Sequence, residues 1–291
     1  MVAKISSFAR QSTLHSTHMS KTQFLVRVEQ LPLGSLLAFA IKQGWAALFG
    51  GLMLAGVIFT AYVRLPLLPA YDWLFLYAIA IQIMMLLTKL EKPHEVITIV
   101  LFHLVGLGME LFKTSDQIGA WSYPGHAFFE LGNVPLFSGF MYAAVGSYMA
   151  RAWRVFELKF THYPNRWLTV LLAAAIYANF FAHHFFYDIR YLLFAAVIVL
   201  YGRVWVHYKV SKKVRRMPLL VGFVLVAFFI WLAENIGTFT HTWLYPNQLA
   251  TWQLVSLGKL GSWLLLMTIS FIMVDILHVV REKQSHTKEL P

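Results

Sequence analysis

Residues 218–236 read PLLVGFVLVAFFIWLAENI, and a short distance on the chain reads Trp243-Leu244-Tyr245-Pro246. Residues 94–112 read HEVITIVLFHLVGLGMELF, and Trp121-Ser122-Tyr123-Pro124 follows them. Each stretch is long enough to cross a bilayer as a helix, since about 20 apolar residues span the hydrocarbon core. Each is closed by an acid, Glu234 in one and Glu110 in the other, and Trp-x-Tyr-Pro follows 9 and 11 residues later. An acid at the membrane edge is costly, so two in matching places point to a duplicated functional site. A further apolar segment returns at similar distance, with Gly139 standing 18 residues after Trp121 and Ser262 19 after Trp243.

The same reading extends over the chain. Of its 291 residues, 59% are hydrophobic and 13% charged, and the mean hydropathy is +0.62. Eight apolar segments, at 45–63, 73–90, 94–112, 134–152, 167–186, 190–206, 218–236 and 254–277, predict an all-α polytopic membrane bundle. Residues 31–43 are apolar but interrupted by Pro32, Gly34 and Lys42, and read as an interfacial helix leading into the first span. Residues 1–30 are expected to be a disordered cytoplasmic tail, 31–280 the helical domain, and 281–291 a second cytoplasmic tail. The polar opening residues lack the apolar core of a signal peptide.

The net charge of +11 does not indicate nucleic acid, because the cations are sorted by loop. With eight spans, 20 Lys and Arg fall on the side that holds both termini and 3 on the other. That asymmetry predicts a multi-pass topology with the N- and C-termini in the cytoplasm. Spans three and seven then run outward and four and eight return, which describes two parallel four-helix repeats, 31–160 and 161–280. With no cysteine the chain has no disulfide, thiolate site or thiol nucleophile.

Polar residues gather on the outer side of this topology: Glu110 and Lys113, then His183, His184, Asp188 and Arg190, then Glu234 and Asn235. We take Glu110, Glu234, His183 and His184 as candidate catalytic residues. A desolvated carboxyl suits a general acid or a proton carrier. The plainer reading is a glutamate that holds two helices together. His103 and Gly106 share a helical face with Glu110, and Lys113 continues it. A buried, hydrogen-bonded histidine is the simpler role for His103, and snorkelling to the surface the simpler role for Lys113. The His183-His184-x-x-x-Asp188 set has metal-ligand chemistry, but adjacent helical side chains diverge by about 100 degrees and rarely share one ion. No metal or other cofactor is assigned. Lys259 lies in the last span between Gly258 and Gly261, and an ammonium there calls for a carboxylate neighbour, Glu234 or Glu110. Candidate substrate-binding residues are Lys113, Trp121, Tyr123, Asp188, Arg190, Asn235, Trp243, Tyr245 and Lys259. For the four aromatics, interfacial anchoring is the competing role.

The segments Glu110-Leu111-Phe112-Lys113, Gly119 to Tyr123, Pro135 to Tyr148, Asn179 to His184 and Trp231 to Gly237 resemble a bacterial integral membrane family, the YoaT-like proteins. Its domain is numbered 817 among those of unknown function. The likeness covers most of residues 40–280. It implies a multi-span protein of the bacterial inner membrane and carries over no catalytic role. In outline the repeated acids and Trp-x-Tyr pairs are also similar to carotenoid-modifying membrane enzymes, without a full motif match. Three functions follow as expectations. The first is a membrane enzyme that uses outer-face acids on a lipid or isoprenoid-like substrate. The second is a transporter or proton-coupled carrier, weakened by an inner half that reads as apolar. The third is a non-catalytic assembly partner. Membrane lipids are the expected partners, nucleic acid is not, and no oligomeric state is assigned.

Overall fold

A computed structural model describes residues 21–28, 30 and 33–288. Within them the chain is mostly helical, with α1 (Lys21–Val28), α2 (Gly34–Ala46), α3 (Leu48–Tyr62), α4 (Ala70–Leu87) and α5 (Glu95–Lys113). After a loop come α6 (Phe137–Val155), α7 (Arg166–Ala182), α8 (Arg190–Tyr201), α9 (Leu219–Phe239) and α10 (Gly258–Lys288). Every apolar segment of the sequence forms a helix, because a helix satisfies its own backbone groups where no water reaches them. Large side chains such as Leu104, Val199 and Phe229 lie exposed along the helices, as lipid-facing residues do.

Four helices, α4, α5, α9 and α10, are long and apolar enough to cross a bilayer. The pair α2 and α3, bent by 71°, makes a fifth if taken as one span. Helix α2 covers most of the segment 31–43 read as an interfacial helix, of which residues 31 and 32 lie outside the described residues. The other segments are less apolar or shorter. Helix α6 carries Arg151 and Arg154, and α7 and α8 have 17 and 12 residues.

Both expected tails are partly ordered. Lys21–Val28 form α1, and α10 runs on to Lys288, while residues 1–20 and 289–291 lie outside the described residues.

The chain is not wholly helical. A short hairpin pairs β1 (Glu130–Leu131) with β2 (Val134–Pro135). A three-stranded antiparallel sheet orders β3 (Lys159–Thr161), β4 (Trp205–Lys209) and β5 (Val214–Pro218). In sequence, Trp205 and Val206 read as the end of the apolar segment 190–206, and the rest of β4–β5 as a basic loop. Yet Trp205, Val206 and Tyr208 carry β-favouring side chains, and Val206 is buried while Arg215 points out. Arg216 lies over the Trp205 ring at 4.9 Å. This sheet marks the basic end of the bundle. Tyr201, Phe223, Phe271 and Trp153 pack beneath it in an aromatic core.

Glycine allows the close packing of α5 and α6. A Cβ on Gly106 would meet the Tyr142 side chain at 2.5 Å, and one on Gly139 would meet His103 at 2.7 Å. These two close approaches let α6 pack directly against α5.

Candidate functional site

At the end opposite the basic sheet, α5 ends with Glu110 buried, its carboxyl filled by three donors. Trp121 Nε1 and the Tyr123 hydroxyl donate to Oε2, each at 2.8 Å, and the Tyr142 hydroxyl donates to Oε1 at 2.8 Å. The loop delivers the first two by turning back at once. Gly119 takes φ +53, a left-handed conformation that glycine adopts freely, and Ala120 N donates to the Lys113 carbonyl at 2.9 Å. Tyr142 comes from α6 across the space that Gly106 leaves. Burial, then the neighbouring Glu110 charge, holds the Tyr123 phenol well above the ordinary tyrosine range. Tyr123 therefore remains a donor at neutral pH.

Glu234 near the end of α9 repeats the arrangement with different parts. The Tyr245 hydroxyl donates to Oε1, and the indole of Trp263 on α10 donates to Oε2. Burial, then the Glu234 charge, keeps the Tyr245 phenol well above its ordinary range. Trp243, the counterpart of Trp121, does not reach the carboxyl. Its ring lies so close over Gly237 that any Cβ there would overlap it. Asn235, named as a substrate contact, is spent on the backbone. Its Nδ2 donates to the Trp231 carbonyl at 2.8 Å, and its Oδ1 accepts from Val255 N at 2.9 Å.

The two motifs meet. Ser122 and Leu244, the variable residues of the two Trp-x-Tyr-Pro copies, exchange reciprocal backbone hydrogen bonds of 2.9 Å as an antiparallel bridge. Trp121 and Tyr245 pack edge to face with centroids 6.2 Å apart, and the charges of the two carboxyls act on each other. Tyr71 fastens the pair, its hydroxyl donating to the Thr242 carbonyl at 2.8 Å and accepting from Gly125 N at 3.1 Å.

Cations border this centre. Lys259 Nζ lies 4.1 Å from the Tyr245 ring centroid and 5.7 Å from that of Trp121. The Glu234 charge acts on it, but no salt bridge forms. The expected carboxylate is thus a neighbour whose hydrogen bonds go to aromatic donors. Lys113 is buried, against the simpler reading that it snorkels. Its ammonium donates to His184 Nε2 at 2.6 Å, lies 3.5 Å from His183 Nε2 and sits 4.1 Å over the Phe180 ring. His183 Nδ1 donates to the Asn179 carbonyl at 2.8 Å, which leaves the Nε2 lone pair towards Lys113. Desolvation, then the Lys113 charge, pushes His184 down to about 4, so it is neutral at pH 7. Asp188 accepts from Asn179 at 3.1 Å and from Arg190 Nε at 2.5 Å. Among the described residues no three His, Asp or Glu side chains converge as metal ligands. The His183–His184–Asp188 set is instead engaged with Lys113, Asn179 and Arg190.

A cavity of about 620 Å³ opens beside the paired loops, lined by Tyr71, Trp121, Tyr123, Asp116, His126 and Glu130 among others. Neither Glu110 nor Glu234 is on its wall. Trp121 and Tyr123 stand both on the wall and on Glu110, so they connect the cavity to the buried carboxyl.

Tyr142 and Trp263 were missed in the sequence. Their signal was the returning apolar segment, on which each stands within a turn of Gly139 or Ser262. A second polar group was missed at the basic end, whose interior reads as apolar. Glu91 accepts from Gln82 at 2.5 Å and from Ser147, and Glu95 accepts from Arg154 Nε at 2.8 Å. Arg151, fully buried nearby, donates to the Trp45 carbonyl, while its Nε and Nη1 have no partner. Between the two ends, His103 rests on Phe140 with centroids 4.5 Å apart, and its buried Nδ1 is unpartnered.

The family described as Protein of unknown function (DUF817) matches residues 35–271. A protein of Bacillus subtilis (strain 168), "Uncharacterized protein YoaT", is 47% identical over 250 residues, covering 86% of this chain and 94% of its own. No solved structure matches the chain.

Proposed function

We propose that this chain, which belongs to the DUF817 family, is a multi-pass enzyme of the bacterial inner membrane that acts on a lipid or isoprenoid-like substrate from the outer leaflet. In this reading all eight helices from α3 to α10 cross the bilayer or line its edge. The basic sheet lies in the cytoplasm with both termini, and the glutamates face outward. The halves 31–160 and 161–280 are parallel repeats, a reading supported by the pairing of Ser122 with Leu244.

The observation that carries the proposal is the convergence of two buried carboxyls under paired, equivalent loops. A membrane protein has little structural reason to bury two interacting acids side by side, and ionisable groups at this depth mark functional sites. Glu110 and Glu234 are the proton-transfer pair, and the Tyr123 and Tyr245 hydroxyls are the groups through which a proton passes to them. Trp121 lines the approach. An aromatic enclosure excludes water, as protonation of an apolar substrate requires. The test compares lipid extracts from cells with the wild-type gene, without it, and with Glu110→Gln or Glu234→Gln. The proposal expects one lipid species to accumulate in the deletion and in both variants. Identical extracts in all four strains sink it.

The second reading, a proton-coupled carrier, gains from Glu91, Ser147 and Arg151, which put buried polar groups at the basic end of the same α5–α6 pair that holds His103 and Glu110. Proteoliposomes that show proton flux abolished by Glu91→Gln would favour it over the enzyme.

A further inference from the structure

We propose that Lys113 and Lys259 form a site for the phosphate-bearing headgroup of an anionic lipid, at the membrane edge between the end of α5, the α7–α8 turn and the start of α10. This names the substrate class of the outer site and rests on the outward-facing reading given above.

Two cations here, among the described residues, make no direct ion pair. Lys113 and Lys259 are close enough for their charges to repel, and Arg190 adds a third positive charge that acts on both. The nearest acids are committed elsewhere. Asp188 takes Arg190 Nε, Arg190 N and Asn179, and Glu234 takes Tyr245 and Trp263. Lys259 has three N–H donors and meets only ring faces. Lys113 spends its donors on two histidine lone pairs, with His184 neutral, and the Asp188 charge that reaches it is already bound to Arg190 and Asn179. Two ammonium groups held near each other by rings and imidazoles are unfavourable alone and favourable around an anion. A phosphate oxygen takes charge-assisted hydrogen bonds from both.

The surroundings select a lipid rather than a free anion. Phe185, Phe186, Tyr187, Tyr191, Leu192 and Leu257 stand exposed on the two segments that flank the cations. Such a rim suits acyl or prenyl chains below a headgroup held at interface depth. Gly261, against which Phe194 packs, keeps that side chain close to the start of α10.

The test places the full chain in nanodiscs of phosphatidylcholine with a minor fraction of phosphatidic acid and counts retained lipids by native mass spectrometry. Wild type retains phosphatidic acid in preference to phosphatidylcholine. Lys113→Met and Lys259→Met each lower that preference about fivefold, the factor that one interfacial cation contributes. The double variant removes it. Lys113→Arg and Lys259→Arg keep it, which a misfolded protein would not, and Arg215→Gln on the sheet at the other end leaves it unchanged. No preference in wild type, or an unchanged preference in the double Met variant, overturns the site. Complete displacement of the lipid by inorganic phosphate overturns the lipid assignment in favour of a free anion. Turnover does not enter this measurement. Identical lipid extracts from the glutamate variants therefore defeat the enzyme and leave this site standing. A lost headgroup preference with altered extracts does the reverse.

Discussion

Glu110 and Glu234 each stand near the end of a helix that a Trp-x-Tyr-Pro motif follows, yet they are held by different means. Glu110 takes three hydrogen bonds from neutral donors and has no cation against it. Glu234 takes two, and the charge of Lys259 acts on it. In the first half the motif tryptophan serves the carboxyl. In the second, Trp243 packs on Gly237 and a tryptophan from α10 replaces it. A repeated pattern therefore preserves a requirement, an acid surrounded by aromatic donors, without preserving which residue meets it. The lesson concerns charge: dipoles alone hold the first carboxyl, and a cation shares the second, so removing the carboxyl strands three donors at Glu110 and two at Glu234.

The largest expected effect tests that difference directly. Glu110→Ala strands three donors, at about 1–3 kcal/mol each, and is expected to cost on the order of 5 kcal/mol. Glu234→Ala strands two and is expected to cost roughly 3 kcal/mol. Thermal unfolding of the detergent-solubilised protein should place Glu110→Ala well below Glu234→Ala, and the reverse order breaks the comparison. Next come the glycines that admit the aromatic groups. Gly106→Ala drives a methyl into Tyr142 and Gly237→Ala drives one into Trp243, each at about 1–3 kcal/mol of overpacking. Adding Trp243→Ala to Gly237→Ala should recover part of the loss if the ring is the obstacle, and additive losses would contradict it. Smaller still are Trp121→Phe and Trp263→Phe, each expected to cost about 1 kcal/mol through one lost hydrogen bond. Similar values for the two would confirm that Trp263 has taken the role that Trp121 plays in the first half.

The smallest effect is a pH dependence beside the centre. His184 titrates at 6.5 when unfolded and is pushed to about 4 when folded, by desolvation and then by Lys113. Between those values the unfolded chain binds more protons, so stability is complete above pH 6.5 and declines as pH falls towards 4. Melting midpoints measured from pH 7 to 4 should fall, and His184→Gln should flatten the curve. An unchanged slope in the variant assigns the acid sensitivity to another group.

Much of this was legible early. Every apolar run became a helix, and the gathering of Glu110, Glu234, His183, His184 and Lys259 at one end follows from the order in which those helices alternate. What stayed hidden depends on which side chains spend which hydrogen bonds. Asn235 has a polar side chain at the right end, but its partners are backbone groups of the Val255 loop. Trp243 matches the motif and misses the acid. Glu91 and Arg151 read as loop charges because their neighbours, Gln82, Ser147 and the Trp45 carbonyl, come from distant segments. The β3–β4–β5 sheet was missed because its basic residues suggest topology while its alternating buried side chains are few.

The sequence by itself determined the helical class, the places of the helices and the pairing of an acid with a Trp-x-Tyr-Pro motif, since apolar length and periodicity are local properties. Only the tertiary structure decided that the two motifs bond to each other through Ser122 and Leu244, that Tyr142 and Trp263 complete the carboxyl shells, and that Lys113 turns inward to two histidines. The physical reason is that a buried polar group must find a partner, and which partner it finds is settled by how distant helices pack.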